Sequence, residues 1–170
     1  MNHTLYVVFT TIHIVAATMW VGGLLFMSLI LIPSLRKLND PGLMSRLIQG
    51  VGQQYRWVGW ISLLILVITG YLNLYYRGIK PDILFSNEFW SSPFGETLGW
   101  KLVVFAFVIF LSLIHDIIVG PRYRYYNKST EHETQAFRYR AAASWIGRMT
   151  LILSLVIVAL AVMMVRGRPW

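Results

Sequence analysis

Residues 98–119 read LGWKLVVFAFVIFLSLIHDIIV. Apart from Lys101 near one end and the His115-Asp116 pair near the other, every side chain in this stretch is apolar, small or a hydroxyl. An α-helix rises about 1.5 Å per residue, so a run of this length covers the roughly 30 Å hydrocarbon core of a bilayer. It reads as a membrane span, and three further runs, at 5–32, 57–76 and 141–165, read the same way. The whole chain of 170 residues agrees: it is 56% hydrophobic and 13% charged, with a mean hydropathy of +0.59, where soluble domains carry about 25% charged residues. That composition excludes a soluble enzyme and a disordered tail. Cysteine is absent, so disulfides, thiolate metal sites, iron–sulfur clusters and cysteine nucleophiles are excluded together.

The connections are short, which predicts antiparallel neighbours and an all-α, up-down four-helix bundle forming one membrane domain over residues 1–170. The first run is expected to remain as a span, because Met1-Asn2-His3-Thr4 lacks the basic start of a secretory signal. Pro33 and Gly120-Pro121 are expected to end their helices. Within 41–54, Leu43, Met44, Leu47, Ile48 and Val51 recur at helical spacing, which predicts a short amphipathic helix on the inner interface. The loop from Gly78 to Thr97 carries Phe85, Phe89, Trp90 and Phe94 and reads as a lid at headgroup level.

The net charge of +8 is unevenly spread. Arg36, Lys37, Arg46, Arg56, Arg122, Arg124, Lys128, Arg138, Arg140 and Arg148 fall in or beside the first and third connections. Only Arg77, Lys80, Lys101, Arg166 and Arg168 fall elsewhere, so the positive-inside rule predicts both termini on the outer, periplasmic side of a bacterial inner membrane. Tyr123, Tyr125 and Tyr126 among basic residues resemble a nucleic-acid patch in composition. Beside a membrane they read as a lipid-facing belt, and the expected partners are the bilayer, a second copy or a larger membrane complex, with no nucleic acid.

Ionisable residues inside a span are costly and therefore mark function. In the first run His13 is followed at 3/4 spacing by Ala16, Trp20 and Met27, with Ala16 and Ala17 leaving a notch. Ser62, Thr69 and Asn73 form one stripe of the second run. The third carries Lys101, Ser112, His115 and Asp116, and Asp116 finds a candidate ion-pair partner in Arg148 of the fourth. The candidate metal or cofactor residues are thus His13, Lys101, His115 and Met27, supported by Trp20, Asn73, Asp116 and Arg148. Without cysteine, cuprous ion has only thioethers and imidazoles as softer side-chain donors, whereas heme b needs an imidazole, a flat apolar slot and cations near its propionates.

The segments Ile12-His13, Trp20-Val21-Gly22-Gly23, Thr69-Gly70-Tyr71-Leu72-Asn73 and Pro93-Phe94-Gly95-Glu96-Thr97-Leu98-Gly99-Trp100-Lys101-Leu102 resemble the CopD domain associated with bacterial copper resistance and uptake. This resemblance implies a membrane protein that handles copper between periplasm and cytoplasm. A more distant one, carried by His13, Trp20, Gly23 and Trp100-Lys101, is to the HemJ-type membrane protoporphyrinogen oxidases. It implies heme b with His13 as axial ligand and Lys101 at the same site. This chain has Ile32-Pro33-Ser34-Leu35-Arg36 where the HemJ type ends its first helix differently. Copper binding or transport is the first expectation, a heme b redox protein the second, and a non-catalytic anchor or assembly subunit the third. Whether the chain is an enzyme stays open at this level.

Overall fold

A computed structural model describes residues 3–37, 40–122 and 133–167 of the chain. The tyrosine and basic cluster at 123–128 and Arg168 lie outside them. Among the described residues there is no strand, and the elements in order are α1 (His3–Leu25), a π-helical turn (Phe26–Leu31), α2 (Ile32–Arg36), α3 (Pro41–Tyr76), α4 (Pro81–Leu84), α5 (Asn87–Ser91), α6 (Pro93–Ile114), a second π-helical turn (His115–Val119) and α7 (Glu133–Arg166). Four continuous helical stretches are long and apolar enough to cross a membrane: His3–Arg36, Gly42–Tyr76, Pro93–Arg122 and Thr134–Arg166. The all-α class and the four spans expected from hydropathy are therefore present.

The chain divides into two compact units, Met1–Ser86 and Asn87–Trp170. In the first, α1 packs against α3. Phe9 stacks on Tyr76 with ring centroids 5.5 Å apart, while the Tyr55 hydroxyl donates to the Trp20 carbonyl. These contacts at opposite ends of the seam make the two helices antiparallel. The facing residues follow a 4-3 spacing on both sides: Phe9, His13, Ala16, Trp20 and Gly23 on α1, and Tyr55, Gly59, Ser62, Leu66, Thr69, Asn73 and Tyr76 on α3. Such a repeat keeps one stripe against the partner helix over its whole length. Ala16, Trp20, Gly59, Ser62, Leu66 and Thr69 on it are buried. Gly23 is where Tyr55 lands, since a Cβ there would overlap the phenol ring.

In the second unit α7 packs along α6, and near their connection Arg122 lies over the Tyr139 ring, 6.0 Å from its centroid. Leu98, Lys101, Phe105, Val108 and Ser112 share one stripe of α6 at 4-3 spacing, which His115 and Val119 of the following π-helical turn continue, with Leu98, Val108 and Val119 buried. On α7 the matching buried set is Thr150, Ser154 and Ile157. Val108 and Ser154 have no exposed surface at all. Outward residues such as Leu64, Val103, Ile117 and Val165 are more than half exposed, as apolar side chains that meet lipid should be.

Helix starts follow their caps. The Asp40 carboxylate accepts from the Leu43 amide at 2.9 Å with Pro41 opening α3, and the Ser92 hydroxyl oxygen accepts from the Gly95 amide at 3.0 Å with Pro93 opening α6. α3 ends through Gly78, whose φ of 93° few other residues tolerate.

Two features differ from the sequence expectation. The stretch 41–54 is helical but runs without a break into the second span as α3, a single helix of 36 residues. The intervening Gly50 and Gly52 lower helix propensity without stopping it. Pro33 and Pro121 do not end their helices either, because the chain stays helical to Arg36 and Arg122. Proline clashes with the carbonyl four residues back and leaves it without a donor. In both cases a π-helical turn ends two residues before the proline, and its wider turn takes up that clash.

Candidate functional site

The seam of the first unit carries its polar groups in a column. Thr10 donates its hydroxyl to Asn73 Oδ1 at 3.1 Å. One turn further along α1, His13 Nδ1 lies 2.7 Å from Thr69 Oγ1, and that hydroxyl also contacts the Ile65 carbonyl oxygen at 2.6 Å. A carbonyl can only accept, so the one hydroxyl proton of Thr69 goes to Ile65, and His13 Nδ1 must donate. This fixes the tautomer: in the neutral ring Nε2 carries the lone pair. Gly70 lies beside the ring, where a Cβ would come within 3.5 Å of Cε1. The imidazole is therefore held in orientation by α3, inside a span, with its protonated nitrogen on the Thr69 side.

Of the residues singled out from sequence, the structure joins His13 and Asn73 into this column and places Trp20 two turns away, 4% exposed. It does not bring Met27 to His13, because the two are about 21 Å apart along one helix at its usual rise. Ala16 is 4% exposed and Ala17 half-buried, so the Ala16 side of the small-residue notch is already packed. Tyr55 and Thr10 went unremarked in the sequence. Thr10 could have been found, three residues before His13 and hence on its face. Tyr55 could not, since tyrosines near a span's end are common as interface anchors.

In the second unit Lys101 is half-buried on the α6 stripe. His115 shares that stripe about 21 Å further along by helical rise, so the two do not form one site within α6. His115 Nδ1 lies 2.9 Å from Asp116 Oδ1, and Arg148 is exposed on α7. Among the described residues no group of three or more His, Asp or Glu side chains converges as a metal site.

The motif around Pro93–Lys101 gains a physical explanation. Phe89, Trp90 and Phe94 form an edge-on aromatic cluster, with centroids 5.2 and 6.2 Å from that of Phe89. α5 lies so close to the start of α6 that a Cβ on Gly95 would collide with the Phe89 carbonyl, and one on Gly99 would touch the Trp90 ring at 3.6 Å. Ser92 ties the corner by donating to Phe89 O at 2.6 Å. The two glycines, one turn apart, form the groove that receives the aromatic loop.

Two helical hairpins supplying four spans define a multi-pass helical membrane protein. A family model described as Copper resistance protein D, CopD, matches residues 49–164, and the chain belongs to that family. A protein of Aquifex aeolicus (strain VF5), described as uncharacterized, is 35% identical over 157 residues, 91% of each chain. No solved structure matches. The family match takes in most of α3 and continues into α7, including Thr69, Asn73, Lys101 and His115, while His13 lies before it.

Proposed function

We propose that the protein binds copper as cargo within the bacterial inner membrane and passes it across, with His13 as the first ligand. The observation that carries this reading is the Ile65–Thr69–His13 relay, which orients an imidazole inside a span and puts the Nδ1 proton toward Thr69, which supports Nε2 as the nitrogen that would meet the ion. A partner that donates or accepts at the far nitrogen is what ligating histidines use to hold ring and tautomer. One imidazole without a convergent cluster suits an ion in transit, whose remaining positions are filled by thioether, backbone or water. Membership of a copper-resistance family supports copper as the ion.

The test is copper content of the purified protein in lipid nanodiscs, with copper tolerance of cells as a second readout. His13→Ala is expected to lose the ion, and Thr69→Val to weaken binding by about 10–100-fold while leaving the fold intact. Unchanged copper binding in both variants overturns the reading.

A second reading, heme b on the same nitrogen, is favoured by the solitary imidazole, because a five-coordinate heme needs only one protein ligand. It predicts a Soret band that collapses in His13→Ala. A colourless preparation that binds no copper leaves the anchor or assembly role.

A further inference from the structure

We propose that His115, turned by Asp116, is a second cation station of this protein, taking a borderline-soft ion such as copper through Nε2. The ion's identity rests on the copper reading above, but the residues are different and stand on their own geometry.

His115 is the first residue of the π-helical turn His115–Val119. A π turn holds more residues than an α turn and swings the side chains it carries away from their α-helical positions, and such turns occur often at functional sites. Here the turn begins at His115 and ends two residues before Pro121.

The imidazole is held from one side. Its Nδ1 lies 2.9 Å from Asp116 Oδ1, and an ionised carboxylate can only accept, so Nδ1 carries the proton and Nε2 is the basic nitrogen. A carboxylate behind a histidine fixes the tautomer and the orientation of the ring, as second partners of ligating histidines do. Exposure differs within the pair: the His115 side chain is 37% exposed and that of Asp116 17%, so the imidazole is the more accessible of the two. Leu98 and Val108 before it and Val119 after it are buried, whereas the His115 side chain keeps part of its surface accessible.

Among the described residues no third carboxylate or imidazole joins the pair. The pair thus supplies one imidazole, and backbone, water or the ligands of an acceptor would complete the ion's coordination, as a site that hands an ion on requires.

The experiment uses the full chain in lipid nanodiscs with His3 and His132 replaced by Ala, so that His13 and His115 are the remaining imidazoles. Bound cupric ion is counted by equilibrium dialysis, and its nitrogen ligation is read by electron paramagnetic resonance. Two ions with two nitrogen signatures are expected. His115→Ala removes one ion and one signature, and Asp116→Asn keeps the signature but weakens that ion by about 10–100-fold. An undiminished copper count and spectrum in His115→Ala, with helicity retained, overturns the station. So does Asp116→Asn binding with unchanged affinity. If His13→Ala keeps both ions while His115→Ala loses one, the His13 reading fails and the station stands.

Discussion

Gly22 and Gly23 are neighbours in the chain with opposite surroundings. A Cβ on Gly22 meets nothing within 4 Å, whereas one on Gly23 would overlap the Tyr55 ring. Gly22→Ala is expected to leave stability unchanged or raise it slightly by helix propensity. Gly23→Ala must displace Tyr55 and its hydrogen bond to Trp20, costing about 1–3 kcal/mol. Gly95→Ala meets backbone at Phe89 rather than a side chain that can swing away, so it should cost more than Gly23→Ala. Thermal unfolding of the three variants in one detergent checks the order, and equal midpoints would refute it. At the functional residue, Thr69→Ser keeps the hydroxyl and should restore most of the copper binding that Thr69→Val loses, a rescue that a mere packing defect would not show.

Prolines decide the shape of two elements. Pro33 and Pro121 each come after a π-helical turn by the same interval, and each removes one helical hydrogen bond. Pro121→Ala supplies the missing donor and should let 115–119 relax toward α geometry. The expected gain is up to about 3 kcal/mol, the interior cost of proline in a helix, together with slower amide exchange across 115–121. Dropping the extra residue of the π turn rotates the helix on its N-terminal side by roughly 100° relative to the helix on its C-terminal side. The same variant is therefore expected to be more stable yet weaker in copper binding at His115. Faster exchange would show that the turn has another cause.

At the scale of the molecule, charge predicts orientation. Lys37 lies at the turn between α2 and α3 and Asp82 in the connection after α3, and both are exposed. The natural chain has no cysteine, so single-cysteine variants label without background. With the basic connections inside, a membrane-impermeant maleimide added to intact cells should label Asp82→Cys and spare Lys37→Cys. The opposite pattern would invert the topology.

Much of this protein is a direct consequence of its sequence. Hydropathy and length determine four spans, because a bilayer leaves a 20-residue apolar run no other way to satisfy its backbone. Spacing alone puts His13, Ala16 and Trp20 on one stripe and Ser62, Thr69 and Asn73 on another. Which stripe meets which is a tertiary matter. It was decided by packing over the entire α1–α3 seam, including Gly23 receiving Tyr55, a complementarity that no local pattern encodes. The same holds for the prolines: composition says that a helix should stop, while the tertiary chain keeps it going by widening one turn. The imidazole at position 13 is written in the sequence, but its tautomer depends on a hydroxyl 56 residues away, and only the folded hairpin brings the two within hydrogen-bonding distance.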